Sequence, residues 1–137
     1  SADLAIIELS MPMNANGIKP YAFHKLPINK QKIYIASYVE SSSLAVIEKK
    51  ECNIMERRNK IILTSCSVDF GASGAPIFVW EDNQFKIASI ISAKAVLGGI
   101  NVSLGVSLET PFNELISQIF ELNDASEVKF FKESLIN

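Results

Sequence analysis

A chain of 137 residues, 48% apolar and 20% charged, has the balance of one globular domain built around a single sizeable core. The net charge of −2 comes without a basic cluster, so there is no electrostatic footprint for nucleic acid. No run approaches the roughly 18 apolar residues of a membrane span, and neither a GxxxxGK phosphate loop nor a dinucleotide fingerprint is present.

Taken in chain order, Ser1-Ala2-Asp3 shows no signal peptide, which has been removed or was never there. Residues 4–9 form a short, almost fully apolar stretch that reads as a strand with nothing before it to pair with. Residues 11–31, with Pro12, Gly17, Pro20 and Pro27, read as a connector. Strand character then recurs over 32–40, 43–50, 60–65, 76–81, 85–92 and 102–109. The last of these alternates strictly, with Val102, Leu104, Val106 and Leu108 against Ser103, Gly105 and Ser107. Glu81-Asp82-Asn83-Gln84 reads as a hairpin turn. Short strands separated by turns, with no alternation of strand and helix, point to a closed antiparallel barrel or a sandwich.

After residue 110 the period changes. Thr110 caps a helix with Pro111 in its first turn, and Phe112, Leu115, Ile116, Ile119 and Phe120 make one apolar face. Asp124 and Glu127 fit a capping box for a second helix with Val128, Phe131 and Leu135 as a thinner stripe.

Cys52 and Cys66 are too few for a zinc site, and nothing else suggests a metal or cofactor. They are either one disulfide between neighbouring strands of an exported protein or two buried free thiols. The stretch most suggestive of chemistry is Asp69-Phe70-Gly71-Ala72-Ser73-Gly74-Ala75-Pro76-Ile77. Its glycines permit backbone conformations that turn successive N–H groups one way while the Ser73 hydroxyl points out, the pairing of nucleophile and oxyanion donors that acyl transfer needs.

Three blocks in order carry a family resemblance. Gly71-Ala72-Ser73-Gly74-Ala75-Pro76 is similar to the GDSGGP nucleophile loop, and Asp3-Leu4-Ala5-Ile6-Ile7-Glu8-Leu9 to the D-[IL]-A-L-[IL]-x-L aspartate strand, of trypsin-like serine proteases. Ile90-Ile91-Ser92 followed by 102–109 and a helix resembles that family's specificity-pocket strands and closing helix. The resemblance implies an all-β, six-stranded antiparallel Greek-key barrel, the second barrel of the chymotrypsin fold, over 32–110, with one or two helices over 111–137. Residues 1–10 would then be the last strand of a preceding barrel that carries the catalytic histidine, and 11–31 the interdomain connector.

Carried over position by position, Ser73 is the nucleophile, Asp3 orients the histidine, and the Gly71 and Ser73 N–H groups form the oxyanion hole. The backbone of Ser92 aligns the peptide or protein substrate as an added strand. Ser67, Ser92, Lys94 and Gly105 fall on the substrate pocket. Ser67 replaces the acid behind a trypsin-like preference, so no Lys or Arg preference is expected. Lys94 either favours an acidic substrate residue or narrows the entrance.

Two departures stand out. Ala72 replaces the Asp that pairs with a freed N-terminus on zymogen activation, which brings the chain closer to glutamyl-endopeptidase-like and HtrA-like bacterial relatives. No histidine precedes Asp3. His24 is the sole histidine and lies on the wrong side of Asp3 for this family. The Asp, His, Ser order belongs to subtilisin-type parallel α/β enzymes, so His24 reads as a surface histidine rather than a base. The expectation is a fragment of a secreted or periplasmic serine endopeptidase, inactive alone. The alternative is a protease-like pseudoenzyme that binds a protein or peptide.

Overall fold

The computed structural model describes residues 4–7, 9–11, 13, 17–25, 27–41, 44–69, 71–108 and 112–117. Six strands follow one another: β1 (Lys32–Ser41), β2 (Leu44–Arg58), β3 (Ile61–Thr64), β4 (Pro76–Glu81), β5 (Gln84–Leu97) and β6 (Ile100–Ser107). Every neighbouring pair is antiparallel, and the order β1-β2-β3-β6-β5-β4 closes on itself through Tyr34↔Phe78 and Ile35↔Ile77. The chain therefore makes a closed barrel, and the sandwich is excluded.

Period-two patterning drives this closure. Ile33 and Ile35 on β1, Ile54 on β2, Ile62 on β3, Ile77 and Val79 on β4, Ile91 on β5 and Val102 on β6 are all at most 2% exposed and fill the interior. The polar side chains admitted there are paired: the Thr64 and Ser103 hydroxyls bond each other at 2.6 Å, and Ser89 Oγ donates to the Val106 carbonyl at 2.7 Å. Gly105 has a steric role in the same place. A Cβ added to it would lie 2.5 Å from Ser89 Oγ, 2.7 Å from Ile77 Cδ1 and 2.9 Å from Ile62 Cγ1, so the barrel closes only around a residue with no side chain.

Two hairpins use positive-φ turns that match strand twist. Asp82 and Asn83 join β4 to β5 with φ of 50° and 61°, and Gly98 and Gly99 join β5 to β6 with φ of 56° and 81°. The second turn lies beyond the expected end of a strand at Ser92; Gly98-Gly99 is its sequence signal, and it lets β5 run on to Leu97. Likewise β2 reaches Arg58 instead of stopping at Lys50, because its alternation continues through Cys52 and Ile54 against β1 and β3.

The expected strand over residues 4–9 is not formed in the described part, 4–7 and 9. Ile7 is 82% exposed and Leu9 56%, for an extended apolar segment needs a partner strand and none pairs with it among the described residues. The connector is more ordered than its prolines suggest. Phe23 forms a parallel bridge to Ile87 of β5, with His24 N–H donating to the Ile87 carbonyl and Ile87 N–H to the Ala22 carbonyl, both at 2.8 Å. It lies where β6, ending at Ser107 opposite Ser89, leaves that edge of β5 open. Residues 112–117 form a short helix, α1, whose Phe112 ring packs on Phe23 at 4.6 Å. The second expected helix lies outside the described residues.

Candidate functional site

The loop between β3 and β4, residues 65–75, alternates buried and exposed positions and so holds itself down while presenting polar groups. Cys66, Val68, Ala72 and Ala75 are buried, whereas Ser67, Asp69, Gly71, Ser73 and Gly74 are exposed. Its first half is fastened to β2. Ser65 N–H donates to the Asn53 carbonyl at 2.9 Å, Asn53 N–H to Ser65 Oγ at 3.0 Å, and Cys66 is joined to Cys52 by a disulfide. The cysteine pair is thus a covalent link and not two thiols. Lys50 follows on the same inward face of β2, and its Nζ donates to the Ser67 carbonyl at 2.9 Å.

The second half is fastened to β5. Gly74 N–H donates to the Ile91 carbonyl at 2.8 Å, and Ile91 N–H to the Ala75 carbonyl at 2.9 Å. Between these anchors, Ala72 N–H donates to the Asp69 carbonyl at 3.3 Å and Ala75 N–H to the Ala72 carbonyl at 3.0 Å, which makes two successive tight turns. Gly71 and Gly74 take φ of 92° and 84° in them, a conformation costly to any residue with a Cβ. The donors sort into two sets. Those of Ala72 and Ala75 are used inside the loop and that of Gly74 on the Ile91 carbonyl of β5, whereas the N–H groups of Gly71 and Ser73 make no backbone hydrogen bond to any described residue. An exposed serine and two N–H groups without a backbone partner among the described residues therefore lie on one short stretch, the arc from Gly71 to Ser73.

Ser92 is brought close to this arc, being adjacent to Ile91, to which the Ser73 turn is tied. It falls where the β5–β6 register slips between Ile91 and Ala93, a bulge of the kind that re-aims a side chain beside functional sites. Lys94 is exposed on the same strand, opposite Ser103. Gly105 stands opposite Ile91 but its missing side chain faces the barrel interior, as described above. Asp3 lies outside the described residues.

His24 is held elsewhere. Its Nδ1 contacts the Lys25 carbonyl, and its Nε2 lies 3.3 Å from Glu81 Oε1. Ser73 lies just before the first residue of β4, Pro76, and Glu81 is its last, so the strand puts roughly 17 Å between its two ends. The His24 ring is thus held at the end of β4 opposite the one that Ser73 precedes. The Lys86 ammonium, bonded to Glu81 at 2.9 Å and to Asp82 at 2.6 Å, is the first cause that holds the Glu81 carboxyl below its ordinary range; His24 is the second. Those carboxylates, Asp82 first, raise Lys86 in turn.

Lys50 is the residue the sequence did not single out. Its signal was its place two residues before Cys52 on an inward-facing alternation, a position where a lysine must find oxygen partners. Against known proteins, the chain matches no family model and no curated sequence.

Proposed function

We propose that the chain is the C-terminal part of a trypsin-like serine endopeptidase that hydrolyses peptide bonds through an acyl-enzyme on Ser73. The observation that carries this reading is the arc just described: an exposed Ser73 between two positive-φ glycines, with Gly71 and Ser73 N–H groups that make no backbone hydrogen bond to any described residue and so are available to a developing oxyanion. The strand order supports it. β4 returns beside β1 after the meander β1-β2-β3, as in a Greek key, which is the arrangement the second barrel of the chymotrypsin fold requires.

In the mechanism, the substrate strand adds alongside Ser92 and places its carbonyl over the arc. Ser73 Oγ attacks, its proton passes to a histidine on the preceding barrel that Asp3 orients, and the oxyanion is met by the two N–H groups. The same imidazolium then protonates the leaving amine, and water hydrolyses the acyl-enzyme. No cofactor or metal enters. The pocket floor at Ser67 has its carbonyl held by the Lys50 cation, which supports a substrate preference other than Lys or Arg. The Cys52–Cys66 bridge supports a secreted or periplasmic location.

One observation favours a second reading, a protease-like protein that only binds a peptide: the chain's sole histidine is engaged with Glu81, at the far end of β4 from Ser73. One experiment separates the two. The native-length protein is treated with a fluorophosphonate probe, and covalent labelling that Ser73→Ala abolishes is the expected result. Labelling that survives Ser73→Ala would sink the nucleophile assignment, and no labelling of the wild-type protein, with peptide binding intact, would establish the binding module.

A further inference from the structure

We infer that Lys50 is the positioning residue of the Ser73 loop. Its kinetic consequence rests on the protease reading above; its structural consequence does not. The Lys50 side chain is 27% exposed, and its ammonium meets three oxygens: the Ser67 carbonyl at 2.9 Å, Glu48 Oε2 at 3.1 Å and Asp69 Oδ2 at 3.8 Å. Two of these, the Ser67 carbonyl and Glu48, lie within hydrogen-bond distance, and Asp69 adds a longer ion pair. Glu48 lies on the same face of β2, two residues before Lys50, and holds the cation from the strand side while Ser67 and Asp69 hold it from the loop side.

The position of these contacts gives them leverage. The disulfide at Cys52 fixes loop residue 66, and Lys50 takes hold of 67 and 69. Asp69 is the residue whose carbonyl accepts the Ala72 N–H, the bond that closes the first turn, in which Gly71 lies and which leads directly into Ser73. The Lys50 cation therefore sets the entry to the turn that carries Gly71 and leads into Ser73. Its three contacts are ion pairs or charge-assisted hydrogen bonds on a half-buried group, the stronger kind. A methionine there fills similar volume and donates nothing; an arginine keeps the charge and the donors.

Lys50→Met and Lys50→Arg in the native-length protein test this, with the second-order rate of fluorophosphonate labelling and deuterium exchange of residues 66–75 as readouts. Lys50→Met is expected to label about tenfold more slowly or worse and to exchange faster in the loop, with unchanged exchange in β1 and β6. Lys50→Arg should restore both. Where Lys50→Met does not fold, Lys50→Gln replaces it. Equal labelling of wild type and Lys50→Met, or a Lys50→Arg protein as slow as Lys50→Met, overturns the positioning role and leaves the nucleophile standing. Faster exchange throughout the barrel also overturns it. If the wild type does not label at all, the protease reading has failed instead, and loop exchange alone then decides: unchanged protection in Lys50→Met overturns the inference.

Discussion

The two ends of β4 are built on different physics. At the Pro76 end, the Ser73 turn is exposed, yet the loop beneath it is held by a disulfide, by buried Val68 and Ala72, and by backbone bonds to Ile91. At the Glu81 end, His24, Lys86 and Asp82 gather round a carboxylate that is 47% exposed, held by ion pairs alone. The first arrangement fixes a glycine-shaped loop through a covalent bond, buried side chains and backbone hydrogen bonds. The second is a set of surface charges whose individual contributions are small and screened by salt. Among the described residues, the end that carries the histidine is thus held by side-chain charges, and the end that carries Ser73 by covalent and backbone links.

Removing the covalent hold should change the molecule most. Cys52→Ala with Cys66→Ala is expected to cost about 2–4 kcal/mol, read by guanidinium unfolding, with the loop losing exchange protection before the barrel. A loss at the level of an ordinary surface substitution would place the stability of the Pro76 end in its packing alone. Gly105→Ala comes next. The added methyl would press on Ser89, Ile77 and Ile62, and destabilisation of about 1–3 kcal/mol is expected in the same assay. A neutral outcome would mean that the barrel interior yields more than its packing implies.

The Glu81 end should respond least, and by pH. Its carboxyl is held low by Lys86 first and His24 second. A carboxylate with a lowered folded pKa stabilises the fold above its ordinary value of 4.5, and that contribution disappears as the pH falls through the lower folded value. Wild type and Glu81→Gln should therefore differ slightly in Tm near neutrality and converge below pH 4.5, whereas the gap to the double cysteine variant should persist at both. Convergence of all three in acid would erase the contrast between the two ends.

Much of the barrel was written locally in the chain. Period-two alternation located all six strands, the Pro76–Glu81 strand to the residue, and Asp82-Asn83 marked its hairpin through side chains that tolerate positive φ. Gly71 and Gly74 announced their turn for the same reason. Strand lengths were less legible: β2 and β5 continue past their first polar interruptions, where the alternation through Cys52 and Ile54 and the Gly98-Gly99 turn are weak signals until neighbouring strands pair with them. The apolar stretch over 4–9 shows the opposite case: strand propensity alone does not make a strand where no described residue pairs with it.

By itself, then, the sequence determined which segments extend, where they turn, and that Ser73 stands in a loop only glycines could shape. Tertiary structure alone decided what meets across it: that Cys52 and Cys66 are bonded, that Lys50 reaches Ser67, that His24 pairs with Glu81, and that Gly105 closes a core. Local preferences act over a few residues of chain, while these contacts depend on strand order and barrel closure, which bring together residues that have no means of recognising each other until the sheet has closed.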